Sequence, residues 1–132
     1  MQTCECLLVR QELVELFSAV QHQKATDIMV NHLMFLNPAA DRMRMLNSRK
    51  FGEDSMLVHW NLSCCKINQL PELFSTLVCT MDLYLNVNNL QSLPESFGNI
   101  TVGRNLYLGS NQKLDEVPHS FPNVKGTVSF RK

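Results

Sequence analysis

The residues best equipped to bind a metal or attack a substrate are five cysteines and four histidines. Cys4-x-Cys6, Cys64-Cys65 and Cys79 invite a zinc reading. Neither cysteine pair has the two-residue gap of a structural zinc site, which brings two thiolates onto one ion. His22, His32, His59 and His119 are scattered, with no Ser or Cys nucleophile frame beside them, so a nucleophile, a base and an orienting group cannot be assembled. No glycine-rich dinucleotide motif and no P-loop is present. Arg42, Arg44, Arg49 and Lys50 could meet a phosphate, but they read better as the solvated face of a helix. The expectation is a non-catalytic protein with no metal and no cofactor.

Composition narrows the class further. The chain has 132 residues, 45% hydrophobic and 18% charged, enough apolar material for a globular core. Twelve basic residues balance twelve acidic ones. The even balance argues against nucleic acid or an anionic membrane surface as partner. No apolar run approaches the length of a membrane span. The apolar patch Cys6–Val9, flanked by Glu5 and Glu12, is too short for a signal core. An odd cysteine count fits reduced thiols, and so a cytoplasmic protein. Asn61-Leu-Ser63 and Asn99-Ile-Thr101 match the glycosylation sequon but read as chance matches in that compartment.

The elements that position these residues fall into two parts. Residues 1–55 predict an N-terminal unit of about three helices. Over 5–22, Val9, Leu13, Leu16 and Val20 recur at helical spacing. A second helix is predicted from about Thr26 to Leu36, with Ile28, Met29, Leu33 and Leu36 on one face. Asn37-Pro38 reads as an N-cap followed by a first helical proline, opening a third helix from Pro38 to about Lys50, stopped by Gly52.

Residues 56–132 carry an internal repeat. Its clearest copy is Leu83–Pro94, with Leu83, Leu85, Leu90 and Leu93 around Asn88. Trp60, Leu62, Cys65, Ile67, Leu70 and Pro71 repeat the frame upstream; Leu106, Leu108, Asn111, Leu114, Val117 and Pro118 repeat it downstream. Leu62, Leu85 and Leu108 are 23 residues apart, and a Phe follows each proline at Phe74, Phe97 and Phe121. A fixed period of this length marks a stacked repeat. A truncated fourth copy begins at Phe121. His59–Ser63, Asp82–Asn86 and Asn105–Gly109 alternate as short strands.

These residues resemble the leucine-rich repeat family in its LxLxxNxLxxLPxxF form, over roughly residues 57–130. The resemblance implies an α/β solenoid: a short array whose parallel strands line a concave face, preceded here by the helical unit. Cys65, Asn88 and Asn111 would form a structural ladder of turn residues. Thr80 and Gly103 depart from the leucine often found at their positions in the family. The outward strand residues would form a protein-binding face: His59, Asp82 and Asn105 in one row; Asn61, Tyr84 and Tyr107 in the next, continued by Ser129; then Ser63, Asn86 and Gly109; then Cys64, Val87 and Ser110. Two adjacent tyrosines offer rigid area and a hydroxyl to a protein partner. The expected function is non-catalytic protein–protein interaction. The alternative is a portion of a longer repeat protein with a structural or oligomerising role, associating edge to edge through an uncapped last repeat.

Overall fold

The structure, a computed structural model, describes residues 22–53 and 56–130. The first element is α1 (His22–Leu36). Ala25, Met29, Val30 and Leu33 are fully buried, the spacing that turns one helical face to a core. The helix begins earlier than Thr26, whose hydroxyl donates to the Gln23 carbonyl at 2.8 Å.

Asn37 does not cap a following helix. Its backbone N–H closes α1 on the Leu33 carbonyl at 2.8 Å. Its side chain reaches a distant loop: Oδ1 accepts from the N–H groups of Asn68 (2.8 Å) and Gln69 (2.9 Å), and Nδ2 donates to the carbonyls of Leu33 (2.8 Å) and Gln69 (2.9 Å). The next helix, α2 (Arg42–Asn47), starts instead after Asp41, whose carboxylate accepts the Arg44 N–H at 3.0 Å as a helix N-cap.

Seven short strands follow among the described residues: β1 (Arg49–Phe51), β2 (Leu57–Asn61), β3 (Val78–Cys79), β4 (Leu83–Tyr84), β5 (Thr101–Val102), β6 (Leu106–Tyr107) and β7 (Val128–Ser129). Five of them form one sheet in the order β1-β2-β4-β6-β7, with β1 antiparallel to β2 and the rest parallel. Trp60, Leu83, Leu106 and Val128 are successive partners, and so are Asn61, Tyr84, Tyr107 and Ser129. β3 and β5 make a second, two-stranded parallel sheet.

This architecture corrects the expected α/β solenoid with about three N-terminal helices. Among the described residues there are two α-helices and a mixed five-stranded sheet of short strands. The helix expected over 5–22 lies outside the described residues. The helix expected from Pro38 to Lys50 occupies only Arg42–Asn47, because its N-cap is Asp41 and the chain enters the sheet at Arg49. There Arg49 pairs with Trp60 and Lys50 with His59. The Arg49 guanidinium lies over the Phe51 ring at 5.7 Å and forms an ion pair with Asp27 of α1. An extended segment places Arg49 and Phe51 on one side, which a helix would not.

One apolar core runs from Ala25 through Leu108. Pro71 and Pro94 each precede a 3₁₀ turn, Glu72–Thr76 and Glu95–Asn99, and their carbonyls accept the N–H groups of Phe74 (2.9 Å) and Phe97 (3.0 Å). These turns point Phe74 and Phe97 inward. Trp60 stacks on Phe74 at 6.5 Å, Phe74 on Phe97 at 6.4 Å, and Phe121 meets Phe97 edge-on at 6.0 Å. Fully burying each such side chain contributes on the order of 1.5–3 kcal/mol before entropy is set against it.

Gly103 leaves no room for a side chain. A Cβ on Gly103 would lie 1.8 Å from the Thr80 carbonyl oxygen, where the backbones of neighbouring repeats close up through the Gly103 N–H and the Cys79 carbonyl at 2.8 Å. Among the described residues no helix is long and apolar enough to cross a membrane.

Candidate functional site

Residues of β2, β4, β6 and β7, with those of the segments that flank them, form four rows across the parallel strands. The first row holds His59, Asp82, Asn105 and Thr127. His59 Nδ1 lies 3.5 Å from Asp82 Oδ2. Asp82 Oδ1 accepts the Asn105 N–H at 3.1 Å, and Asn105 Oδ1 accepts the Thr127 N–H at 2.9 Å. Each short polar side chain thus ties its strand to the backbone of the next. Asp82 is buried, and Asn105 also donates to the Tyr107 hydroxyl at 3.2 Å. These two side chains, expected on sequence to meet a partner, each hold an oxygen bonded to the backbone of the next strand segment, Asp82 buried and Asn105 half-buried.

The second row is the aromatic one. Tyr84 and Tyr107 are paired in register, with ring centroids 4.7 Å apart and planes within 6°. That separation is the spacing of adjacent strands, so the sheet itself sets the stack. Both rings are half-buried and present the remainder to solvent. Burial, and then the Asp82 charge, hold the Tyr84 phenol above its ordinary pKa, so it stays neutral and can donate. Asn61, at one end of the row, turns its side-chain oxygen back to accept from the N–H and hydroxyl of Ser63. Ser129 stands at the other end.

The third row carries Ser63, Asn86 and Gly109. Asn86 Oδ1 is shut off from solvent and accepts no hydrogen bond, and among the described residues it is the single buried side-chain N or O atom in that condition. The fourth row, Cys64, Val87 and Ser110, is the left-handed position of three successive turns, with φ of 58°, 56° and 55°. Val87 is branched at Cβ and 45% exposed. The left-handed region costs an L-residue roughly 1–2 kcal/mol, and branching makes it worse. Asn tolerates that conformation. Val87→Asn is therefore expected to stabilise the fold by about 1 kcal/mol, read as a higher urea midpoint with unchanged slope. A lower midpoint would show that Val87 is not strained.

Behind this face lies the ladder of turn residues. Asn88 Oδ1 accepts from the N–H groups of Cys65 (3.0 Å) and Ile67 (3.1 Å), and its Nδ2 donates to the carbonyls of Leu62 and Leu85, both at 3.0 Å. Asn111 Oδ1 accepts the Leu90 N–H at 3.1 Å, and its Nδ2 donates to Leu108 at 2.8 Å. Cys65 takes no such place and reaches the Ser63 carbonyl through Sγ at 3.4 Å.

Other candidate chemistry is accounted for within the chain. Burial pushes the Cys65 thiol up to about 11 and the Cys79 thiol to about 12, so both stay protonated and neither is a nucleophile at neutral pH. Among the described residues no group of three or more His, Cys, Asp or Glu side chains is placed to hold a metal. Arg42 donates to Asn31 Oδ1 at 2.8 Å, Arg44 to the Ser63 carbonyl at 3.1 Å and Arg49 to Thr26 Oγ1 at 2.7 Å, so three of the four clustered cations are tied to their own chain.

Two features of the site escaped sequence reasoning. The polar ladder of Asp82 and Asn105 did leave a signal: short side chains with an acceptor oxygen recur 23 residues apart, just before the strands, as Asn88 and Asn111 do after them. The left-handed φ of Val87 left none, because its side chain disfavours that conformation. Comparisons with protein-family models, with curated proteins and with solved structures each found no match to the chain.

Proposed function

We propose that this chain is a non-catalytic interaction module related to the leucine-rich repeat family, binding a protein partner on the exposed face of β2, β4, β6 and β7. The single observation that carries the reading is the Tyr84–Tyr107 stack, held rigid by strand pairing and half open to solvent. Tyrosine gives large contact area at little rotamer cost, and it is enriched among residues that dominate binding energy. Exposed, strained Val87 beside the stack supports the same face, since backbone strain of this kind concentrates where function holds it.

The family assignment rests on the repeat. The 23-residue period is the same offset that sets Trp60 opposite Leu83 and Leu83 opposite Leu106. Reduced, buried Cys65 and Cys79 support a reducing compartment, and so the cytoplasm.

A photo-crosslinking amino acid at position 107, introduced into the full chain in its native cells, should capture a discrete protein. The same group at Glu95, exposed on the 3₁₀ turn, should not. Equal capture from both positions would remove the assignment to this face.

A further inference from the structure

Two hydrogen bonds fix the polarity of the face at Tyr107. Asn105 Oδ1 accepts the Thr127 N–H at 2.9 Å, which settles which way round the Asn105 amide lies. Its Nδ2 then faces Tyr107 and donates to the phenol oxygen at 3.2 Å. The phenol is an acceptor toward its own chain, so its O–H is left to donate outward. Among the described residues that O–H has no acceptor. The charge beside it has the same sense. Arg104 and Lys125 are exposed and lie on adjacent rungs, where the N–H of Gly126, next to Lys125, donates to the Arg104 carbonyl at 2.7 Å. Neither cation has an ion-pair partner among the described residues. The Arg104 charge acts on the Tyr84 phenol, whose ring lies 4.7 Å from that of Tyr107, so the guanidinium and both phenols share one side of the sheet. Among the described residues Asp82 is the one carboxylate in the four rows. It is buried, with Oδ1 on the Asn105 N–H and Oδ2 at 3.5 Å from His59 Nδ1. The exposed carboxylates of Glu72 and Glu95 stand on the 3₁₀ turns, across the core from the strands.

We propose that the Tyr107 end of this face takes an acidic segment of the partner protein, with a carboxylate that accepts from the Tyr107 O–H and pairs with Arg104, while Lys125 adds a second positive charge beside it. This deepens the reading above and rests on it. Charge complementarity selects the occupant. A hydrogen bond to an ionised acceptor is roughly twice as strong as one between neutral groups, so a carboxylate gains most from an outward O–H. A basic segment would set like charge against Arg104 and Lys125. A nucleic acid strand also offers anionic oxygens, but such strands are held through many phosphate contacts, on the order of 6–10, and two cations serve only a fraction of them. The chain as a whole is balanced, twelve basic residues to twelve acidic, so the positive sense belongs to this end of the face and steers a local acidic patch and not any polyanion.

The test titrates an acetylated, amidated hexaglutamate peptide into the full chain and follows backbone amide resonances. Saturable shifts at Arg104, Asn105 and Tyr107 are expected. Tyr107→Phe keeps the ring stack and removes the O–H, and should weaken binding by about 3- to 10-fold, the worth of one hydrogen bond. Arg104→Glu reverses the paired charge at an exposed position and should weaken it by at least about 10-fold. Lys24→Glu, a matched reversal on exposed α1, should change it by less than about two-fold, because salt screens charges more than a Debye length apart. No saturation up to the solubility limit of the peptide overturns the proposal. So does binding that survives Arg104→Glu, or that Lys24→Glu weakens as much. Equal or tighter binding of a hexalysine peptide or a thymidine hexanucleotide overturns the choice of occupant. If hexaglutamate fails while capture at position 107 persists, the face still binds a partner and only its acidic character is wrong.

Discussion

Asn88→Ala is expected to cost about 4 kcal/mol of folding stability, lowering the melting temperature by more than about 10 °C. Asn88 is buried and sits between two repeats. It accepts from two backbone N–H groups, of Cys65 and Ile67, and donates to the carbonyls of Leu62 and Leu85. Alanine leaves the Cys65 and Ile67 N–H groups and the Leu62 carbonyl without this partner in the buried interior, while the Leu85 carbonyl keeps the Asn111 amide at 3.1 Å. Each stranded donor or acceptor costs roughly 1–3 kcal/mol, whereas an ordinary exposed hydrogen bond nets about one. Asn89, the next residue, is the matched control: it is exposed, and its bond to Ile67 runs through the backbone. Asn89→Ala should change stability by less than about 0.5 kcal/mol. Urea denaturation of both variants settles the point, and equal midpoints would dismiss the ladder as a source of stability.

Trp60→Ala should be comparably damaging, by about 3–5 kcal/mol. Trp60 is fully buried in β2, paired to Arg49 on one side and Leu83 on the other. Its ring stacks on Phe74, and its indole N–H donates to the Met45 carbonyl of α2 at 3.0 Å. One side chain therefore joins the helices, the antiparallel edge and the aromatic column. Trp60→Phe separates these roles. It keeps most of the packing and leaves the Met45 carbonyl still bonded to the Ser48 hydroxyl at 3.2 Å, so a loss of only about 1–2 kcal/mol is expected. If the two variants melt together, the hydrogen bond and not the packing is what matters.

The central region was the most legible in the sequence, for a physical reason. A strand that buries one face must alternate with period two, and a stacked repeat must return at a fixed interval. Together with the resemblance to the leucine-rich repeat family, those two constraints imply Asn61, Tyr84, Tyr107 and Ser129 in one row, and the strand register puts the four side by side. The N-terminal side was less legible because its determinants are not local. The donors that Asn37 satisfies, on Asn68 and Gln69, lie 31 and 32 residues away, so a helix cap was the reasonable local reading. Arg49-Lys50-Phe51 carries no strand pattern alone, and its conformation is decided by Trp60, Asp27 and the need to cover Phe51. β3 and β5 are two residues each, too short to show a period. In the site, the tyrosines were visible as exposed strand residues, while the internal commitment of Asp82 was not, since an acidic residue flanking a strand ordinarily faces water.

The most direct test of the binding face is the affinity of the captured partner for the Tyr84→Ala/Tyr107→Ala double variant, measured by titration beside the parent chain. Both rings are only half-buried, so the variant should keep a cooperative melt. Two anchoring aromatics at about 2 kcal/mol each imply a loss of affinity of several hundred-fold or more. A folded double variant that binds the partner within a factor of about three of the parent would contradict the assignment of this face.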